Sequence, residues 1–505
     1  MARDMKRREY NSVPTQDGKG PFKMARKFAE QELKALVDYY GMDEESAPET
    51  EPPDEGSLVW NVGDDHVPWP LKDPKDSKII ENLEAIVQRH EVSHDDIFAA
   101  YQQLPEPRVV YLESRVIRDM LHCLSVVERP TPLAMQRYLS VLDDMKNAHI
   151  HISRSEWTTA MHFAGRSMSG SRADDLQSAL YLWRDMEQRA NVKASFVTFN
   201  VLFVTAVKAG KFTLAELFLK EMETRGLKFH RHFRVSLIYY HGVMQNGSGI
   251  RRVYQDMVAA GDIVDVVVMN AVIAALFRAG EPSAAEHVFE RMKRLAATGS
   301  TTTTPFITSG GLTFTKNDRS WRGRRKLGLH LTHEGRRLKD TDDTDALKQL
   351  QEWAPILPNS RTYSLLIRHH ATSTGNLDRV NDLLREMGYN GVLLEGSIFL
   401  VIFHGFAAFG GVRYTSWTRT HLEQTWEEFK EALRNDLERT WIDTTSAIAV
   451  LKAFKRCTDA ERTVKIWEEM KELWIPSAKE EEAVVRALRS LVPMSWLESL
   501  PGMID

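Results

Sequence analysis

Two stretches of this chain superimpose at an offset of 70 residues. Laying Phe196–His230 over Val266–Ser300 puts Asn200 on Asn270, Gly210 on Gly280, Ala215 on Ala285 and Met222 on Met292. The segment between them, Arg231–Asp265, fills one period of 35 and keeps the register. Met257 lies 35 residues from both Met222 and Met292, Gly261 follows Gly226 by 35, and Leu219, Tyr254 and Phe289 align. A fixed period of this length makes each period one supersecondary unit that leans on its neighbours, which constrains the fold more than composition does.

The pattern inside a period is helical. An apolar stripe of Val201, Leu202, Val204 and Val207 ends near Gly210, a residue suited to a left-handed C-terminal cap. A second stripe of Phe212, Leu214, Ala215, Phe218, Leu219 and Met222 ends near Gly226. Each unit therefore reads as two antiparallel helices, and one such pair cannot cover both of its apolar faces. The predicted fold is all-α, a right-handed superhelical solenoid of stacked helix-turn-helix repeats with a long concave surface. Weaker copies carry Met145 and Met186 in the register position; their spacings of 41 and 36 residues place an extra turn in Gly165–Asp175. Further copies run over Asn359–Gly388 and Thr444–Ser477.

The rest of the chain divides around this array. Residues 1–75 are basic and then acidic; the Pro-rich run at 43–56 is too poor in apolar groups to order itself. One helix is expected there, over Phe22–Tyr40. Helical repeats are expected over 76–295, most clearly over 196–295, opening with Ile79, Ile80, Leu83 and Ile86 on one face. Residues 296–345 read as a low-complexity and then basic insertion without regular structure. Between Lys316 and Lys339 it holds nine Lys or Arg and two acids, with Trp321 among them. Arg322, Arg324, Arg325 and Lys326 suit contact with RNA or folding on a partner, or a solvated insertion with neither. Degenerate repeats and a C-terminal cap are expected over 346–505.

Composition excludes several classes. Two cysteines, Cys123 and Cys457, cannot build a disulfide framework or a four-ligand zinc site. A net charge of −4 rules out a general polycation, so any nucleic-acid surface is local. The most apolar stretch, Gly396–Val412, falls short of a membrane span and carries His404 near its centre, as a buried helix does. The N-terminus is basic but interrupted by Asp4 and Glu9, a poor match to an organelle presequence. No phosphate loop, nucleophile elbow, zinc-protease or deaminase motif occurs, and neither a cofactor nor a metal is expected. His369 and His370 are adjacent, so a helix points them about 100° apart. Gly247-Ser248-Gly249 reads as a turn between helices, and the acid pairs Asp174-Asp175 and Asp342-Asp343 as caps or solvated groups.

A 35-residue hairpin with V-T-F-N, then A-G-K, then an A-x-x-F/L-x-x-M run resembles the pentatricopeptide repeat family. SRTYSLLI and WEEMKELWIPS are similar to its phrases. The resemblance implies single-stranded RNA binding along the groove, in mitochondria or chloroplasts, each repeat reading one base with two or three side chains. Carried over by position, the first-helix readers are Asn200, Val235, Asn270 and Ser364. The end-position partners are His230, Asp265 and Ser300, and the base-packing position holds Val197, His232, Val267 and Arg361. Asn pairs with a base edge through its donor and acceptor, but it also caps helices. Two roles follow: an adaptor on a mitochondrial mRNA or rRNA in processing, stability or translation, or a protein-interaction scaffold such as an assembly factor or organellar ribosome component.

Overall fold

The computed structural model describes residues 66–71, 73–89, 93–127, 131–165, 172–298, 306–307, 313–314, 321–412, 414–437 and 440–493. The expected helix at Phe22–Tyr40 and the extra turn near Gly165–Asp175 fall largely or wholly outside them. Two compact units, 1–236 and 237–505, divide the chain. The first contains α1 (Pro74–Val87), α2 (His94–Gln102), a 3-10 turn (Arg108–Tyr111), α3 (Ser114–Ser125), α4 (Pro132–Asn147), α5 (Arg154–Ala164), α6 (Arg172–Arg184), α7 (Phe196–Lys208) and α8 (Phe212–Thr224). Helix α9 (Arg231–Val243) spans the division. The second unit continues with α10 (Gly247–Ala259), α11 (Val266–Arg278), α12 (Pro282–Thr298), α13 (Trp321–Asp340), α14 (Thr344–Trp353), α15 (Ser360–His369), α16 (Leu377–Tyr389), α17 (Gly396–Phe409), α18 (Arg419–Arg434), α19 (Thr444–Cys457), α20 (Ala460–Leu473) and α21 (Ala478–Leu491). A two-residue antiparallel pair, Phe306–Ile307 with Thr313–Phe314, is the one extended pairing among the described residues.

The repeat is built from recurring local signals. Helix α7 starts at Ser195, whose hydroxyl accepts from the Thr198 N–H, while α11 starts at Asp265, whose carboxylate accepts from the Val267 and Val268 N–H groups. Helix α7 stops at Gly210, φ +75°, where the Lys211 N–H reaches back to the Ala206 carbonyl and the Gly210 N–H to that of Val207. That double return is a Schellman cap, and its positive φ selects glycine. The same bonds close α8, α10 and α11 at Gly226, Gly261 and Gly280. The in-register methionines Met145, Met186, Met222, Met257, Met292, Met387 and Met470 are all buried.

Period irregularities have a physical absorber. Met186 to Met222 is one residue over the period, and a π turn occupies Asp185–Arg189, where Ala190 N–H bonds the Asp185 carbonyl. From Ser360 to Gly396 the first helices are again 36 residues apart, and a second π turn takes up His370–Thr374. A π turn holds one more residue than an α turn, so neighbouring helices keep their contact.

In the second unit each odd-numbered repeat helix packs on the next: α11 on α15, α15 on α17, α17 on α19. Helix α17 is the apolar segment noted in the sequence; Ile398, Phe399, Val401, Ile402, Phe403 and Phe406 are buried and His404 is exposed. No helix among the described residues is long and apolar enough to cross a membrane.

The insertion departs from expectation. In place of an irregular segment, residues 321–340 form a 20-residue helix, paired with α14. Leu327, Leu331 and Leu338 bury one face of it against Ile263, Leu350 and Ala354, and Lys339 pairs with Asp262. The leucines sit at helical spacing, and the surrounding cations masked that pattern. The hairpin is a branch, since α11 meets α15 directly although Val266 and Ser360 are 94 residues apart.

Replacing Gly280 (φ +79°) with Ala costs about 1–2 kcal/mol, the left-handed penalty of a side chain. Gly388→Ala, in α16 with open space around its Cα, stabilises by roughly 0.5–1 kcal/mol. Urea unfolding midpoints moving in opposite directions check both. At Glu469 burial opposes ionisation, but hydrogen bonds from Trp426, Lys430 and Arg462 hold the carboxyl at about 2. Its contribution to stability is complete above the unfolded value of about 4.3 and disappears as pH falls toward 2. Melting curves from pH 6 to pH 2 should therefore converge for wild type and Glu469→Gln at the acid end.

Candidate nucleic-acid interface

Helix geometry sorts the first-helix residues by depth. Six of the seven residues at the second position, Ser155, Val197, His232, Val267, Arg361 and Thr445, are exposed; Ser397 is half-buried. Val197 is 44% and Val267 51% exposed, an unusual place for a branched apolar side chain in a packed repeat. Both are base-packing candidates from the sequence.

The fifth position is deeper. Asn200 is half-buried and its side-chain oxygen accepts from Ser236 Oγ at 2.6 Å. Asn270 is 8% exposed; its oxygen accepts from Thr362 Oγ1 at 2.7 Å and its amide donates to Asn359 Oδ1 at 3.2 Å. Thr158, fifth in α5, bonds the Thr198 hydroxyl at 2.9 Å in the same manner. These side chains tie one first helix to the next. None of the asparagines caps its own helix; the caps are Ser195 and Asp265. Val235 is half-buried, and Ser364 is buried at 1% exposure with its hydroxyl unbonded.

The end position coincides with the N-cap of the following helix. Asp265 is buried and spends its carboxylate on two N–H groups. The His230 ring lies edge-on to Phe196 at 4.3 Å between centroids. Ser300 lies outside the described residues, and its structural place before the next first helix is taken by Asn359. Sequence reasoning missed Asn359 because the insertion breaks the 35-residue count; its signal was the N-T pair three residues apart, a capping box with Thr362.

The insertion meets this edge. Val267, Leu327, Leu393, Asn359, Ser360 and Arg324 line a groove of about 220 Å³ at the starts of α11, α15 and α17. Glu395 also lines it, accepting from Ser360 Oγ and from Arg324 at 3.5 Å. Arg324 is thus held at the groove, while Arg325 and Lys326 are exposed and unpaired among the described residues. The side chain of Arg322 lies outside the described residues. His369 stacks on Phe277 and His370 bonds Glu286 at 2.8 Å, so the adjacent histidines serve two separate contacts. Asp343 caps α14; Asn246 caps α10, and Gly247-Ser248-Gly249, expected as a turn between helices, forms the first turn of α10 instead.

Residues 197–227 match the PPR repeat, and residues 252–297 match the pentatricopeptide repeat domain. The chain carries pentatricopeptide repeats. Val197, Val267 and Asp265 fall within the matched residues. No curated relative matches the sequence. Among solved structures, the pentatricopeptide repeat protein PPR10 in complex with an 18-nucleotide psaJ RNA element is 16% identical, over 81% of this chain and 55% of that one, with a TM-score of 0.33. PPR10 from maize is 17% identical over 82% and 52%, with the same score. The chain spans about half the length of these pentatricopeptide repeat proteins.

Asn359→Ala removes both a helix cap and the acceptor of the Asn270 amide, and should cost about 1–2 kcal/mol in urea unfolding. Arg361→Ala, at an exposed second position, should stay within about 0.5 kcal/mol of wild type.

Proposed function

We propose that this chain binds single-stranded RNA along the exposed edges of its first helices, and acts as an adaptor in mitochondrial RNA processing, stability or translation. The observation that carries the proposal is the exposure of Val197 and Val267, in matched pentatricopeptide repeats, at the position where an apolar side chain can pack on a base. The neighbouring basic helix supports it, since Arg324, Arg325 and Lys326 sit at or beside the groove that Val267 lines. The PPR10 structure with an RNA element is consistent with the same class of ligand. Nothing in the reading requires catalysis: the work is occupancy of an RNA segment.

One observation favours a second role. Asn270 and Ser364 are buried and Val235 cannot hydrogen-bond, which leaves few groups to read base edges. Binding that tolerates many sequences suits a component or assembly factor of an organellar ribosome, holding rRNA or protein.

Crosslinking in the native cells, denaturing purification and sequencing of attached RNA separate the two. A sharp peak on one organellar transcript is the result expected of an adaptor; peaks on rRNA support the ribosomal role; absence of RNA above background overturns RNA binding. With purified protein, Val197→Glu and Val267→Glu together should weaken a bound single-stranded RNA by about tenfold or more, given roughly 1–3 kcal/mol per stacked base. Unchanged affinity would remove the valines from the interface.

A further inference from the structure

The branch carries a surface that the repeats do not. Helix α13 lies outside the succession of α11, α15, α17 and α19, and it is held in one orientation. Its buried arc, Leu327, Leu331, Gly335 and Leu338, faces Ile263, Leu350 and Ala354. A Cβ on Gly335 would stand 3.0 Å from Ile263 Cγ1, so the helix is closely seated, and Lys339 pairs with Asp262 beside it. Residues 321–340 nonetheless hold seven Lys or Arg against two acids.

At 100° per residue, Arg325, Lys326, Leu329, His333, Arg336 and Arg337 fall within an arc of about 120°, opposite the leucines. All six are exposed. Arg325 and Arg336 are eleven residues apart, as are Lys326 and Arg337. Eleven residues bring a helix back to within about 20° of its starting direction. Two cation pairs therefore share one face, separated along the axis by about 16 Å. Arg325 and Lys326 form no ion pair among the described residues. Arg337 pairs with Glu334 at 2.6 Å and Arg336 with Asp340 at 4.0 Å, exposed contacts within the helix that a stronger anion displaces at little cost. The acids of the following turn, Asp342, Asp343 and Asp345, are exposed and bound the face at that end.

This face fits a rigid polyanion with two charged rows. A lipid surface needs an apolar face to insert, and α13 has buried its own in the hairpin; Leu329 is the one large apolar side chain exposed among its described residues. An unpaired strand is held by stacking on aromatic rings, and the face carries no Phe, Tyr or Trp among its described residues. A double-stranded stem offers what the face matches: phosphates of two strands across a wide, shallow minor groove, recognised by shape and not by base edges. We infer that the outer face of α13 docks the backbone of a double-stranded RNA stem, Arg325 and Lys326 on one strand and Arg336 and Arg337 on the other. The inference rests on the RNA-binding reading and adds to it the form of the RNA. The ligand is a stem whose unpaired tail continues onto the first helices, past the groove where Arg324 is held.

The test uses the full chain and two labelled RNAs, a mixed-sequence single strand and the same strand extended from a fully paired stem. The readout is the ratio of the tailed stem's affinity to the single strand's, which isolates what the stem contributes. In the wild type the ratio should be about tenfold or more, and the tailed stem's slope of log K against log salt should exceed the single strand's by about three to four, at roughly 0.9 per duplex phosphate. The variant Arg325→Gln, Lys326→Gln, Arg336→Gln, Arg337→Gln should bring the ratio close to one. The control Lys348→Gln, Arg385→Gln, Lys465→Gln, Arg486→Gln removes as many exposed charges from α14, α16, α20 and α21 and should keep it. Circular dichroism melts verify that both fold. A wild-type ratio near one, or a ratio lost equally in both variants or in neither, overturns the stem while RNA binding stands. A wild type that binds neither RNA overturns the functional reading and the stem together. Polyglutamate that displaces the tailed stem as readily as unlabelled stem does overturns it in favour of an acidic protein segment.

Discussion

A helical hairpin has more apolar surface than its two helices can hide from each other. Everything else in this molecule follows from disposing of the remainder against the next hairpin. Met222, Met257 and Met292 hold one register of the sequence, and each is buried. Close approach is sharpest where side chains vanish. A Cβ on Gly242 would sit 2.7 Å from Ala275 Cα, so α9 and α11 meet almost backbone to backbone. Stacking of this kind dictates which positions are left in water, and these are the positions a ligand can reach.

The same constraint explains the polar residues that look like readers but are used as struts. The fifth residue of a first helix points partly at the following first helix. When that neighbour offers a hydroxyl at its third or sixth position, as Thr198, Ser236 and Thr362 do, the two bond and the fifth residue is drawn inward. A polar side chain there satisfies its neighbour before it satisfies a base. The second position is exposed in six of the seven first helices.

How much of this was legible follows from range. The hairpins, the Gly210 and Gly280 caps, the Met register and the buried Gly396–Phe409 helix were readable because each depends on residues within one period. The helix at 321–340 was obscured because its leucines, four and seven residues apart, are outnumbered by charge. The role of Asn359 was hidden because the residue count that located Ser300 runs straight through an insertion. The burial of Ser364 could not be read at all, since it depends on α17, a helix one repeat away. The absence of Asp and Glu from α7, α9, α11, α15, α17 and α19 was lost in averaging: a sum over 505 residues gives −4, and the asymmetry exists only after helices are sorted.

The branch formed by α13 and α14 has a consequence for how length should be measured in this protein. Ninety-four residues separate Val266 from Ser360, yet α11 and α15 are neighbours, just as α15 and α17 are across 36. Chain distance and distance along the stack are separate rulers. Material added at the branch changes mass, charge and groove wall without changing pitch, while a single residue added to a repeat must be swallowed by a π turn or shift every contact after it. Such a fold can acquire new surface without losing its spacing.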